Sequence, residues 1–173
     1  MKSRTMRPGW AIASAVIAAL VVKTFVLDAA IVDGTSMMPL LRQGSVVLVL
    51  RCAYGFRFPS RDGYLVRWKT PRRGDIVVAR SPRDGSAVVK RVAAVGPIEL
   101  PIVAGRLLGP GLDLPLSPER WGDRIVVEPG WLFLVGDNAQ ESVDSRDYGS
   151  VPIEAIAGRV VLFARWRKTG ASG

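Results

Sequence analysis

The chain has 173 residues, enough for one domain and a terminal segment, with a formal net charge of +9 and 49% hydrophobic residues. Histidine is absent, which excludes a Ser-His-Asp triad, a Cys-His dyad and every histidine metal site. Cysteine occurs once, at Cys52, so no intramolecular disulfide exists, and a hydrolase of this sequence must use Lys, Asp, Glu or a terminal amine as its base.

The N-terminal region predicts a membrane anchor. A basic start precedes an apolar stretch over 10–27 in which the only charge is Lys23, near the far end. This length approaches the roughly 20 residues that span a bilayer, and a lysine at that place reaches the interface. We therefore expect residues 1–8 in the cytoplasm, a transmembrane anchor over 9–31 and an extracytoplasmic domain over 32–173. A cleaved signal peptide is the alternative, because its basic start and short apolar core are similar.

Beyond the anchor, the sequence predicts a mainly antiparallel β domain. Short runs of β-branched residues alternate with Gly, Pro, Asp and Ser clusters, and no long amphipathic helix pattern follows the anchor. The stretch 97–123, rich in Pro, Gly and Leu, predicts irregular connections. The basic and aromatic stretch 51–73 predicts a loop or hairpin on the membrane. The predicted strands lie within 46–50, 75–79, 87–92, 125–127, 131–135 and 157–162.

Ser36 is the first candidate functional residue. It follows a glycine-containing turn, and Pro39 three residues later prevents a helix from forming there. A turn of this kind exposes both the serine hydroxyl and its backbone N–H. On composition alone, an ordinary turn is the simpler interpretation.

Lys90 is the second candidate. Strand alternation places it on the same face as Val88 and Val92, two apolar residues. A lysine on an apolar face loses hydration, which lowers its pKa and allows it to act as a base near neutral pH. The alternative is a lysine on an edge strand that faces water.

The third candidate segment, 136–149, is dense in polar residues and follows an apolar strand. If it is extended, Ser142, Asp144 and Arg146 share one face, and the last two can form an ion pair. A solvated polar loop is the alternative interpretation of this segment alone.

Together and in this order, these segments resemble the boxes of a type I signal peptidase. That family has an N-terminal anchor, then Ser-Met-x-Pro, matched at 36–39, and Lys-Arg-Val, matched at 90–92. Its late box, Gly-Asp-Asn-x-x-x-Ser-x-Asp-Ser-Arg, matches 136–146, and Arg-Gly-Asp-Ile-Val-Val matches 73–78. The resemblance extends from the anchor to Arg159.

The resemblance implies a role for each residue of these boxes. Ser36 would be the nucleophile, Lys90 the general base, and an acyl-enzyme the intermediate. Ser142 would orient the lysine. Some members carry a serine hydroxyl where this chain has Gly34, so the oxyanion would rest on the Ser36 N–H, helped by Thr35. The other implied site residues are a supporting group, Asp137, Asn138, Asp144, Ser145 and Arg146, and two at the substrate cleft, Met37 and Met38.

The resemblance also implies substrates and location. The substrates would be preproteins carrying signal peptides, cut after small residues in an Ala-x-Ala pattern. The protein would cross the cytoplasmic membrane once, with its catalytic domain on the extracytoplasmic side and the lipid bilayer as a partner. We expect no cofactor, no metal and no nucleic acid, and we interpret the scattered basic residues as a surface near an anionic membrane.

Three alternatives stay open. Leu40 and the segment 94–98 depart from the family pattern, which favours a dedicated maturation peptidase of the same superfamily, acting on a pilin or a single exported protein. A self-cleaving regulator of the repressor type shares the Ser-Lys pair. A membrane-anchored, non-catalytic β binding module is the alternative outside the enzymes.

Overall fold

A computed structural model of the chain describes residues 8–58, 63–116 and 121–164. The predicted cytoplasmic N-terminus, apart from residue 8, lies outside the described residues, as does the end of the predicted outer domain from 165 onwards.

The described chain begins with an apolar helix. Helix α1 spans Pro8–Val21 and continues as a wider, π-helical stretch over Val22–Val26. The window Gly9–Val26 has 18 residues and a mean hydropathy of 1.9, and none of it is buried against the described part of the protein. By length and composition, this helix can cross a membrane, since an uncovered apolar helix requires an apolar surrounding.

The helical part of the predicted anchor is shorter than 9–31. The last five residues of that segment, Leu27–Ile31, form strand β1, which pairs with Val46–Leu50 (β2). Asp28 in β1 pairs with Arg51 at 3.1 Å, so the first acidic residue after the helix already belongs to the sheet.

The domain after the helix is mainly β, and its strand pairs are antiparallel, which confirms the predicted fold class. Helical segments after the anchor are short: α2 spans Ser145–Tyr148, and a 3₁₀ turn spans Ile153–Ala155. The remaining strands are β3 Gly55–Phe56, β4 Val66–Arg67, β5 Ile76–Arg80, β6 Ala87–Val95, β7 Ile98–Val103, β8 Arg106–Gly109, β9 Leu112–Pro115, β10 Arg124–Val127, β11 Trp131–Val135, β12 Val151–Pro152 and β13 Ile156–Ala164.

The main sheet has seven strands in the order β1-β2-β13-β5-β6-β11-β12. Alternate residues of its central strands point inward and form a core that excludes water, as the period of two requires. Val77, Val92 and Leu134 in this core are fully buried. The long strand β6 pairs with β5 on one side and with β11 on the other, and the candidate site lies along these strands.

A second sheet corrects the prediction for 97–123. Within this stretch, β7, β8 and β9 form a four-stranded sheet with β10, in the order β10-β7-β8-β9. Leu100 and Leu107 from this sheet pack against Phe133 of the main sheet. The Gly and Pro residues that suggested irregular structure mark its turns, at Gly105 and Gly111, where φ is positive.

The stretch 51–73 was predicted as a loop or a hairpin. It contains a hairpin, in which β3 pairs with β4. Phe56 and Phe58 of this stretch contact Phe25 of the helix, with ring centroids 5.4 Å and 5.9 Å apart. The hairpin is therefore attached to the end of the apolar helix. Contact of the hairpin with lipid stays a prediction.

Candidate active site

Strand β6 carries Lys90 into the interior. The lysine is only 3% exposed and lies in the register position opposite Val77 of β5. Val92, two residues along the same face, is fully buried, which agrees with the predicted alternation. In the described structure, β11 pairs with β6 only from Arg91 onwards, so the segment 87–90 has one free edge next to the lysine.

Ser36 lies in the turn after β1, half-buried, and the loop after β11 holds it. The Asn138 main-chain N–H donates to the Ser36 carbonyl at 2.9 Å. The Asn138 side chain donates to the Thr35 carbonyl at 3.3 Å. One asparagine therefore binds two consecutive carbonyl groups of the serine turn, which fixes the turn relative to β11.

A chain of hydrogen bonds joins Lys90 to the late polar segment. The Lys90 Nζ donates to the Ser142 Oγ at 2.9 Å, and this hydroxyl donates to the Asp144 Oδ2 at 2.7 Å. Arg146 binds Asp144 through two side-chain hydrogen bonds of 2.9 Å and 2.7 Å. The same carboxylate accepts the Gly136 N–H at 2.9 Å. Ser142, Asp144 and Arg146 thus meet as a connected cluster.

The cluster has this shape because the segment is a capped helical turn and not the extended strand considered from sequence. Asp144 is the N-cap of α2, and its backbone N–H donates to the Asp147 carboxylate at 2.8 Å, which completes a capping box. Ser145, fully buried, accepts the Leu134 N–H through its hydroxyl at 2.9 Å and ties α2 to β11.

Burial sets the charge state of the lysine. Removal of water lowers the pKa of Lys90, because a buried ammonium loses its hydration. The negative charge of Asp144 raises the pKa of Lys90, and the positive charge of Arg146 lowers it, which offsets part of the effect of Asp144. Burial also acts to raise the pKa of Asp144, but hydrogen bonds from Arg146, the Gly136 N–H and Ser142 outweigh burial and lower it. The Asp144 carboxylate is therefore charged and paired with Arg146, while the net effect on Lys90, where burial is the largest cause, is a lowered pKa.

Gly136 is a residue that the sequence reasoning did not single out. A Cβ at this position would lie 2.2 Å from the Ser142 Oγ and 2.5 Å from the Ser36 carbonyl oxygen. Only glycine allows the serine turn and the Ser142 cluster to come this close. The signal in the sequence was the glycine at the head of the late box.

Arg91 was also missed as a site residue. Its guanidinium binds Asp137 through two hydrogen bonds of 2.7 Å and 2.8 Å, and this bidentate contact raises the pKa of Arg91. The pair joins β6, at the residue after Lys90, to the loop between β11 and α2. Asp137 therefore supports the site through Arg91.

Ser36 and Lys90 are linked indirectly: the Ser36 carbonyl packs against Gly136, Gly136 packs against Ser142, and Ser142 accepts the hydrogen bond from Lys90. Among the described residues, no hydrogen bond joins the Ser36 hydroxyl to the Lys90 amine, and no acceptor binds the Ser36 backbone N–H. Gly136 and Ser142 separate the two residues. Contacts of this kind commonly tighten when a substrate binds.

Of the three remaining predicted residues, Met37 has other surroundings than expected. Met37 does not line a cleft: it is 1% exposed and packs in a core cluster with Leu41 and Val47. The burial of its side chain joins the serine turn to this core cluster. Met38 is half-buried. The Thr35 hydroxyl donates to Glu141 at 3.5 Å, a long contact.

Comparisons with known proteins identify the family of this chain. The family described as signal peptidase, peptidase S26, matches residues 5–166. The signal peptidase I of Leptolyngbya laminosa is 32% identical over 161 residues, which cover 85% of this chain and 73% of that protein. The signal peptidase I of Bacillus caldolyticus is 31% identical over 176 residues, covering 92% and 90%. A crystal structure of a signal peptidase I from Enterococcus faecalis V583 has 25% identity and a TM-score of 0.42, covering 53% of this chain and 97% of that one.

The chain belongs to the signal peptidase family, peptidase S26. It is therefore a peptidase whose relatives include signal peptidase I enzymes, and by length and composition its N-terminal apolar helix can cross a membrane.

Proposed function

We propose that this protein removes N-terminal signal peptides from exported preproteins, with Ser36 as nucleophile and Lys90 as general base. The observation that carries the proposal is the buried amine of Lys90, held at 2.9 Å from the Ser142 hydroxyl beside an aspartate already neutralised by Arg146. Without histidine in the chain, a neutral lysine is the base that this arrangement offers to a serine.

The proposed reaction has two halves. The Ser36 Oγ attacks the carbonyl carbon before the cut, its proton moves to the neutral Lys90 amine, and the negative charge develops on the carbonyl oxygen. The Ser36 N–H, which donates to no described residue, stabilises that oxygen. Lys90 then gives the proton to the leaving amine as the C–N bond breaks. A water molecule, deprotonated by Lys90, hydrolyses the Ser36 ester and regenerates both residues.

The free edge of β6 supports an extended substrate. A peptide that adds as a strand along 87–90 would make main-chain hydrogen bonds there, and its carbonyl at the cut would arrive beside Lys90. In this arrangement alternate side chains point toward the protein, so the residues first and third before the cut are the ones selected. This fits small residues at those positions, in an Ala-x-Ala pattern.

We propose that helix α1 crosses the cytoplasmic membrane once, with the catalytic domain on the extracytoplasmic side. The basic residues before α1 support this orientation, because basic segments stay in the cytoplasm. Enzyme and preprotein then share one bilayer, which raises their effective concentration.

The test is cleavage of purified preproteins by the full chain in lipid vesicles, with the cut position determined by mass spectrometry. We expect cleavage after the Ala-x-Ala site of several unrelated preproteins. Cleavage of one exported protein or a pilin alone, with ordinary preproteins left intact, would replace this proposal with a dedicated maturation peptidase. Absence of cleavage in every case, with binding retained, would favour the non-catalytic module.

A further inference from the structure

A groove extends from the candidate site along the C-terminal half of β6. It has a volume of about 590 Å³ and shares Gly136 and Asp137 with the site. A second cavity of about 360 Å³ continues it. Arg73, Ala93 and Leu112 line both cavities. We call the two cavities together the Arg73 groove.

The Arg73 groove has apolar walls and an excess of positive charge. Asp137 is the acidic residue among its described lining, and Arg91 already binds it in two hydrogen bonds. Arg72 and Arg73 form no ion pair with any residue that the structure describes. Arg73 donates to the Gly111 carbonyl, which fixes its guanidinium at the wall of the groove and leaves other N–H donors available.

The strand pairing shows where a peptide bound to 87–90 must leave β6. In the proposed function the residues before the cut lie on this edge and the cut falls beside Lys90, so the chain that leaves there is the one after the cut. The edge of β6 is free over 87–90, but β11 occupies it from Arg91 to Val95. A peptide strand lying on 87–90 must therefore leave the edge beside Lys90 and pass over Gly136 and Asp137. The Arg73 groove begins there, so it takes the chain that follows the cut.

The distance to the arginine can be expressed in residues. The Gly74 N–H donates to the Val92 carbonyl at 2.8 Å, which places Arg73 beside the Val92–Ala93 portion of β6. Ala93 is three residues beyond Lys90, roughly 10 Å along an extended strand. A side chain in the second to fifth position after the cut therefore reaches the arginine.

We propose that the Arg73 groove binds the first residues of the mature chain and selects an acidic side chain in the second to fifth position after the cut. This inference rests on the proposed function and adds a specificity site for the mature part of the substrate. Arg73 acts here as a specificity residue, through the charge that it offers to an aspartate or glutamate of the substrate.

The test compares three preproteins that are identical up to the cut and carry Asp, Ala or Lys in the second to fifth positions after it. For each one, kcat/KM is measured with the full chain in lipid vesicles of neutral lipid. We expect the Asp substrate to exceed the Lys substrate by about three- to tenfold, since paired charges at partly exposed sites have effects of this size. Raising the ionic strength should reduce this ratio.

Variants of Arg73 test whether the groove causes the preference for acidic substrates. Arg73→Gln should bring the ratio of the Asp and Lys substrates close to one, and Arg73→Glu should reverse it. Arg124→Gln is the matched control, because Arg124 lies on β10, half-exposed, and faces Glu99 instead of the groove. Each ratio is taken within one variant, so a general loss of folded enzyme cancels. If Arg73→Gln does not fold, Arg72→Gln and the ionic-strength series on the wild type replace it.

Each outcome has one meaning. Equal cleavage of all three substrates by the wild type, or an unchanged ratio in Arg73→Gln, would overturn the inference while leaving the proposed function intact. Failure to cut even the Ala substrate would overturn the proposed function, and the inference with it.

Discussion

Gly136 packs against Ser142 so closely that a Cβ at the glycine would lie 2.2 Å from the serine hydroxyl oxygen. The same Cβ would meet the Ser36 carbonyl oxygen at 2.5 Å, and this backbone atom cannot rotate away. The absence of a side chain at Gly136 therefore allows Ser36, the proposed nucleophile, to lie close to Ser142, which binds the proposed base. The first prediction follows from this relationship.

Gly136→Ala should lower kcat about 100-fold or more, because a displacement of about 1 Å at a catalytic site has effects of that size. The measurement is single-turnover cleavage of a preprotein, with thermal unfolding in parallel. Gly122→Ala is the control, since a Cβ there meets nothing within 4 Å, and it should retain wild-type rates. A Gly136→Ala enzyme with wild-type kcat would show that this packing is irrelevant to the reaction.

Ser142→Ala should reduce kcat about 10- to 100-fold and leave KM nearly unchanged. The substitution removes the acceptor of the Lys90 hydrogen bond, so the amine loses its orientation while the peptide-binding edge stays intact. Steady-state kinetics separate the two parameters. Ser86→Ala is the control, at an exposed serine whose hydroxyl donates to nearby Asp84. An increase in KM with an unchanged kcat would place Ser142 in substrate binding instead.

The pH dependence of kcat/KM should report the proton of Lys90. The neutral amine is the active form, so kcat/KM should rise with pH and reach half of its maximum below the pKa of an exposed lysine, because burial lowers the pKa of Lys90. Arg146→Met removes a positive charge that lowers this pKa, while the Asp144 charge that raises it remains. The midpoint should therefore move to higher pH in Arg146→Met. A pH profile whose midpoint stays in place, or moves down, would contradict this account; Arg124→Met serves as the control.

Lys90→Met should stabilise the protein while it abolishes cleavage. A buried lysine is unfavourable, and an apolar side chain of similar length should raise the free energy of unfolding at neutral pH by about 0.5 to 2 kcal/mol. The pKa of Lys90 is lower in the folded than in the unfolded protein, so the wild type gains stability as pH rises toward the ordinary lysine pKa. The advantage of Lys90→Met should therefore shrink at high pH. Urea unfolding at two pH values measures both effects, with exposed Lys69→Met as control, and a less stable Lys90→Met at neutral pH would refute the prediction.

Local patterns predicted much of this structure because they report local physics. The alternation around Lys90 predicted its burial, and the structure has the lysine 3% exposed. The Asp144–Arg146 ion pair was predicted for an extended strand, but it forms for another reason: Asp144 is the N-cap of α2, and Arg146 lies in the first turn of that helix. The antiparallel β class followed from the short β-branched runs between turn residues.

Other features depend on contacts between distant segments, which no local pattern contains. Strands β7, β8 and β9 were missed because the glycines and prolines of 97–123 suggested loops, whereas Leu100 and Leu107 are buried only after they meet Phe133. The bond between Asn138 and Ser36 joins residues from opposite ends of the domain. Met37 was assigned to a cleft from its place beside Ser36, but neighbours in a tight turn point to opposite sides.

The most direct test of the Ser36–Lys90 pair is single-turnover cleavage of a preprotein with an Ala-x-Ala site by Ser36→Ala and Lys90→Ala. Ser86→Ala and Lys69→Ala are the matched controls, at exposed residues that bond to neither Ser36 nor Lys90. We predict that the wild type and both controls cut at that site, and that Ser36→Ala and Lys90→Ala, folded to the same extent, do not. Cleavage at the wild-type rate by either site variant would contradict the proposed mechanism.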